Sequence, residues 1–323
     1  MSTLKTKIDN EEVFDFLKKN FSADIPSLTP IKEGETSQAF SFSSKAGEFV
    51  IRVRSACAAQ ARKDGFEKDK YAYEHFDSEN IPVPCMFQMG RLNDQLCYAI
   101  TEKAKGKIID YFTKDEVRTF MLAQIETLDA IHNFDVSNTS HFGDWDSQGH
   151  ARKASWKEYL LQLVDDFSVF EDKESILKCD VIETVLARFT ELIDYCPNIR
   201  HLVHGDFGFN NVLSDGKRIT GVIDWELSKY GDFLYDAAWL SFWETEIDYA
   251  GIFLKHYKDL PFGQNLSVRY VRSEDTGVSV PNFHERILCY KLHFGLESLK
   301  FSSDSQQEAT YRWTKERLLG LIG

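Results

Sequence analysis

The sequence predicts an α+β chain of two lobes, a small β-rich one over residues 1–102 and a larger, mainly helical one over residues 103–323. Three observations carry this. Strand-favouring runs gather before Glu102, helical spacing dominates from Tyr111 onward, and one strand-rich interruption, Arg200 to Trp225, breaks the helical half. At 323 residues and 43% hydrophobic content the chain is long enough for two such cores.

Taken in order, Asn10 is positioned to cap a helix through Asn20 with Val13, Phe14 and Leu17 on one side, and Pro26 and Pro30 break the pattern. Residues 38–43 and 48–54 are β-favouring runs around Lys45-Ala46-Gly47, which predicts a hairpin. A helix follows with Phe66, Tyr73 and Phe76 on one face, ended by Pro82 and Pro84, and then a strand at 96–101. The change of character sets the lobe boundary near Glu102 to Gly106. Beyond it, Phe120, Ile125, Leu128 and Ile131 space a buried helical face, and 155–169 is a long amphipathic stretch. The remainder from Asp236 reads as helices joined by a polar loop around Ser267 to Pro281.

Composition narrows the function. The 38 Lys and Arg against 51 Asp and Glu give a formal net charge of −13, which repels nucleic acid and anionic membrane surfaces and favours cationic ligands such as a polyamine or a metal ion. The six cysteines are scattered with no Cys-x-x-Cys pair, as in a reducing compartment. The N-terminal stretch lacks an apolar core of the kind secretory leaders carry, and no segment reaches the ~18 apolar residues of a membrane span. A cytoplasmic monomer acting on a small molecule is the expectation.

The most informative segment runs from His201 to Trp225. Residues 211–214 and 218–223 flank Asp215-Gly216, a strong turn signal, and should pair as an antiparallel hairpin. Counting outward from that turn, Asn211 and Asp224 reach the same open end, where an amide oxygen and a carboxylate can ligate one small metal ion. Asp206 lies in the loop just before. One carboxylate to orient a hydroxyl and accept its proton, with oxygen ligands to hold Mg²⁺ against phosphates, is what phosphoryl transfer requires. A metal-dependent hydrolase built on His201, His204, Asp206 and Asp224 is the rival; its His-x-x-His spacing shares a face on a helix but not at the strand end expected here.

On the nucleotide side, Arg52 lies in the strand 48–54, and Arg54 points the same way by alternation. Asp69 fits as the partner of Arg52, because it shares the packed helix face with Tyr73 and Phe76 whereas Glu67 points elsewhere. Gly34 to Phe40 offers backbone N–H groups and the Thr36 or Ser37 hydroxyl to phosphates.

His204-Gly-Asp206, then Asn211, then Ile223-Asp224 has spacing similar to the protein-kinase catalytic loop and its metal-binding Asp, with Gly205 where protein kinases carry Arg. The Gly variant resembles the aminoglycoside phosphotransferase and choline kinase group. The blocks 33–42, 64–71, Cys196-Pro197 and 201–213 look like those of hygromycin B phosphotransferases, as do Arg52 for the usual strand lysine and Asp69 for the helix carboxylate. The resemblance implies a protein-kinase-like fold, with a nucleotide-binding lobe over 1–102 and a catalytic and substrate-binding lobe over 103–323. It implies ATP and Mg²⁺ as cofactors, Asp206 as base, Asn211 and Asp224 on the metal, and His204 and Asp236 supporting the loop. Adenine would meet main chain near Glu102 and Ala104. Glu226, Asp232 and Glu244 are candidates for substrate ammonium groups, and the acceptor is a hydroxyl of hygromycin B or a related aminoglycoside, inactivated by phosphorylation. A metabolite kinase for choline, a sugar or homoserine stays open, since Tyr235, Trp239 and Trp243 on one helical side would suit a quaternary ammonium. A non-catalytic nucleotide-binding protein is the remaining reading.

Overall fold

Helix α1 (Asn10–Asn20) starts because Asp9, one residue before the expected cap, is extended and its side chain accepts a hydrogen bond from the Glu11 N–H; Val13 and Leu17 are its buried face. The structure is a computed structural model that describes residues 8–32, 37–55, 65–168, 180–259, 271–273 and 277–323. The hairpin expected at 38–54 is present as β2 (Gln38–Ser44) and β3 (Gly47–Ser55), joined through Lys45 and Ala46. Together with β1 (Thr29–Ile31), β4 (Met86–Arg91) and β5 (Leu96–Glu102) they make an antiparallel sheet of order β1-β2-β3-β5-β4. Pro30 is tolerated because β1 is an edge. One face of the sheet, with Phe40, Phe42, Ile51, Val53 and Ile100, packs with Val13 and Leu17 into a common apolar cluster. Helix α2 (Gly65–Phe76) buries Phe66, Asp69, Ala72 and Phe76.

The chain divides into two compact units: Met1–Thr127 with Asp146–Gly149 and Phe209–Leu227, and Leu128–Trp145 with His150–Gly208 and Ser228–Gly323. The boundary expected near Glu102 therefore lies inside the first unit. That unit also takes in the hairpin of β9 (Val212–Ser214) and β10 (Ile219–Val222), because β6 (Lys107–Ile108) pairs with β9. Helix α3 (Lys114–Thr119) opens on a capping box between Thr113 and Glu116, and α4 (Met121–Asn133) follows.

In the second unit β7 (Gly143–Asp144), β11 (Lys229–Gly231) and β8 (His201–Val203) form a small sheet of order β7-β11-β8. Among the described residues this unit holds the end of α4 from Leu128 and the helices α5 (Trp156–Ser168), α6 (Asp180–Ile193), α7 (Leu234–Trp243), α8 (Tyr249–Asp259), α9 (Phe283–Asp304) and α10 (Glu308–Ile322). Helix α7 is apolar nearly all round and is buried accordingly through Leu234, Tyr235, Ala237, Ala238, Leu240 and Phe242. The stretch expected as a polar loop holds a short antiparallel pair, β12 (Val271–Ser273) and β13 (Gly277–Ser279). Among the described residues no helix is long and apolar enough to cross a membrane, and Cys85, Cys97, Cys196 and Cys289 carry free thiols.

Candidate active site

Alternation along β3 sends Arg52 and Arg54 to one side, where both guanidinium groups lie over the Phe66 ring, at 5.2 and 4.4 Å from its centroid. Each meets its own carboxylate. Arg52 Nη2 pairs with Asp69 Oδ2, and Arg54 Nη1 lies 3.1 Å from Glu226 Oε2. Asp69 is shared, since its Oδ1 accepts the Trp225 N–H at 2.8 Å. Glu67, one residue from the packed face, is exposed. Burial opposes the charge on Arg52, but Asp69 and Asp224 outweigh it and raise its pKa above the ordinary arginine value, so the cation is permanent.

The turn of the β9/β10 hairpin forms as its residues dictate: Asp215 Oδ1 accepts the N–H groups of Lys217 and Arg218, and Gly216 supplies the positive φ of 90°. Asn211 and Asp224 do reach the same open end of the hairpin, though not directly opposite one another. The register shifts between Ile219 and Gly221, and the Ile223 N–H donates to the Asn211 carbonyl at 3.0 Å, so Asp224 stands one residue beyond Asn211's partner. Asp224 adopts φ 64°, a left-handed conformation that an Asp holds only where its surroundings impose it. The donor set of Asn211 and Asp224 is amide and carboxylate oxygen. Mg²⁺ takes one or two such protein ligands and completes its shell with water and phosphates, so the residues fit it. A metal-dependent hydrolase fits less well. No group of three or more His, Cys, Asp or Glu is placed to hold a metal ion among the described residues, His201 Nδ1 sits 2.9 Å from the His132 carbonyl, and His204 Nδ1 accepts the Asp206 N–H at 3.3 Å.

Asp206 belongs to the second unit, because the division between units follows Gly208. Its loop leaves β8 and is held from beneath by Asp236 in the first turn of α7. That carboxylate is wholly buried and accepts the His204 N–H at 3.0 Å, the Gly205 N–H at 2.8 Å and His132 Nε2 at 2.9 Å. Gly205 has φ 79°, which lets two successive N–H groups face one carboxylate. Burial alone would raise the pKa of Asp236, but the hydrogen bond and charge of His132, helped by His204 and the Gly205 N–H, lower it below the ordinary value. His204 is wholly buried and Asp206 half-exposed.

Two of the three expected substrate carboxylates are committed elsewhere. Asp232 is wholly buried, with one oxygen taking Arg286 Nε and the Tyr290 hydroxyl and the other taking Arg286 Nη2 and the Leu234 N–H. Glu226 faces Arg54 rather than solvent. Glu244, at the end of α7, is half-buried and accepts the Glu246 N–H at 3.0 Å. Of the aromatic trio, Tyr235 is buried against Trp156 and Phe294, Trp239 packs edge-on to Phe294, and Trp243 stacks on Trp313, so they do not close a cage. The N–H groups of Glu102 and Lys103 are taken by the Cys85 and Glu48 carbonyls, at 2.8 and 3.0 Å, and Ala104 follows half-buried. Ser37 is half-buried, and Thr36 lies outside the described residues. His132, Arg286 and the pairing of Arg54 with Glu226 were not foreseen, because each depends on a partner far away in sequence.

Residues 27–265 match the phosphotransferase enzyme family. The chain is similar to the hygromycin-B 4-O-kinase of Escherichia coli, with 35% identity over 242 residues, covering 74% of this chain and 68% of that protein. It also superposes on the crystal structure of aminoglycoside phosphotransferase APH(4)-Ia with a TM-score of 0.82 and 27% identity, covering 97% of this chain and 98% of that one. A thermostable mutant of the same enzyme, in ternary complex with AMP-PNP and hygromycin B, gives a TM-score of 0.80 at 28% identity over 96% and 98% of the two chains.

Proposed function

This chain belongs to the phosphotransferase enzyme family, and from that we propose that it transfers the γ-phosphoryl group of ATP to a hydroxyl of hygromycin B or a related aminoglycoside, inactivating it. The observation that supports the reaction class is the Arg52 guanidinium paired with Asp69, whose other oxygen holds the N–H of Trp225, the residue after Asp224. The acceptor rests on the 35% identity with hygromycin-B 4-O-kinase.

In this reading Asp206 orients the acceptor hydroxyl and takes its proton as the new P–O bond forms and the bond from the γ-phosphorus to the bridging oxygen breaks, leaving ADP. Asp236, His132 and His204 keep the loop in the shape that presents Asp206. Arg52 neutralises phosphate oxygens, with Asp69 holding its fork at a fixed angle. Asn211 and Asp224 would hold Mg²⁺, which would supply neutralisation of the phosphate charge. Ser37 and Thr36 donate to the phosphates, and the Glu102 carbonyl with the Ala104 N–H meets the adenine edge. Glu244 takes an ammonium group of the acceptor, consistent with a net charge of −13 that draws polycations inward. The protein works as a cytoplasmic monomer without nucleic-acid or membrane partners.

The test follows ADP release by the purified protein with ATP and Mg²⁺ over a panel of hygromycin B, other aminoglycosides, choline and simple sugars. Hygromycin B should give the largest kcat/KM, with its mass raised by one phosphoryl group. A larger kcat/KM for choline or a sugar would replace the acceptor and keep the reaction.

A further inference from the structure

Asp224 holds a left-handed backbone, φ 64°, that the neighbouring residues have to enforce. The enforcement is visible in the two residues that follow it. Trp225 is wholly buried with its ring 5.4 Å from that of Phe76, its N–H is held by Asp69, and its Nε1 donates to the Val222 carbonyl at 3.2 Å. Glu226 is held at both ends: its carbonyl accepts Lys68 Nζ at 2.7 Å and its carboxylate meets Arg54 at 3.1 Å. Arg54 is 3% exposed and Glu226 14%, so the pair is largely out of water. Space is made for it. A Cβ on Gly65, the first residue of α2, would lie 2.5 and 2.7 Å from the two terminal nitrogens of Arg54 and 2.8 Å from Glu226 Oε2.

We propose that Arg54 and Glu226 are positioning residues for the metal aspartate: their ion pair, seated over Gly65, ties the segment after Asp224 to strand β3 and so holds the Asp224 carboxylate in the orientation that ligates Mg²⁺. The proposal rests on the phosphotransferase reading above. It reassigns Glu226 from a substrate contact and gives Arg54, which shares the Arg52 face of β3, a task of its own. Arg52 and Arg54 lie on the same face of the same strand yet divide the work, one fixed through the helix to serve the phosphates and the other fixing the metal loop.

Calorimetric titration of ADP with and without Mg²⁺ separates this from a merely structural role. In the wild type Mg²⁺ should tighten ADP. In Glu226→Gln and in Gly65→Ala that tightening should shrink about tenfold, while metal-free ADP affinity stays within about twofold and KM for hygromycin B is unchanged. Arg54→Lys, which keeps the charge, should restore part of the Mg²⁺ effect that Arg54→Met loses. Thermal melting of each variant confirms that the titrated protein is folded. Variants whose Mg²⁺ effect equals that of the wild type would overturn the proposal and leave the phosphotransferase reading standing, and so would a Glu226→Gln variant whose defect falls on the KM for hygromycin B. A wild type that binds ADP identically with and without Mg²⁺ would overturn both.

Discussion

Replacing Asp69 by Asn and by Ala separates the two tasks its carboxylate performs. Oδ2 faces Arg52 and Oδ1 accepts the Trp225 N–H at 2.8 Å. Asparagine keeps a carbonyl for Trp225 and removes the charge opposite Arg52. Breaking a fully buried ion pair costs ~3–5 kcal/mol; with side chains 18% and 8% exposed, solvent screens this one, and a loss of about 2 kcal/mol is expected. Alanine also strips the acceptor from the buried Trp225 N–H, which adds about 1–2 kcal/mol. Urea unfolding should therefore rank wild type, Asp69→Asn and Asp69→Ala in falling stability, the last two separated by about 1–2 kcal/mol. kcat/KM should fall at least tenfold in Asp69→Asn, for a loss of about 1.4 kcal/mol or more of transition-state stabilisation. Equal stability of the two variants would show that the Trp225 bond carries no weight. An Asp69→Asn enzyme with wild-type turnover would remove the Arg52 pair from the mechanism.

Other outcomes follow from the same network. The lowered pKa of Asp236 means its contribution is fully present above the ordinary aspartate range and is lost as pH falls through its depressed folded value. His132→Gln removes the largest cause of that depression, so the acid unfolding midpoint should move to higher pH and stability at pH 7 should fall by about 3 kcal/mol, read by urea unfolding across pH 3 to 7. Asp232→Asn strands the buried Arg286 and should cost about 3–5 kcal/mol of stability without raising KM for the acceptor; a folded variant with a tenfold higher acceptor KM would return Asp232 to the substrate site. Gly205→Ala forces a Cβ onto φ 79° and should cost about 1–2 kcal/mol, with kcat reduced more than KM, as steady-state kinetics would show.

What the sequence made legible is local. Strand alternation put Arg52 and Arg54 on one face and helical spacing put Asp69 on the packed face of its helix, while the choice of Arg52 over Arg54 came from the family resemblance. The Asp215-Gly216 turn announced its own hairpin. The bulge that brings Asp224 one residue nearer to Asn211 carries no sequence signal, since it depends on how β10 meets β9. Ion pairs such as Arg54 with Glu226, 172 residues apart, or Asp232 with Arg286, 54 apart, are set by packing alone. For that reason the acidic residues after Asp224 looked like ligands for a cationic substrate when two of them are internal ties. Strands of two or three residues, such as β6, β7 and β11, likewise owe their existence to a partner and not to propensity.

Phosphoryl transfer from ATP to an aminoglycoside hydroxyl through Asp206 is tested by ADP release with hygromycin B, measured side by side for the wild type and Asp206→Ala. The wild type should show hygromycin-dependent turnover, and Asp206→Ala should lose at least about a hundredfold of it while binding ADP within a few-fold of wild type. Near-normal turnover by Asp206→Ala, or a wild type whose ADP release is indifferent to hygromycin B, would contradict it.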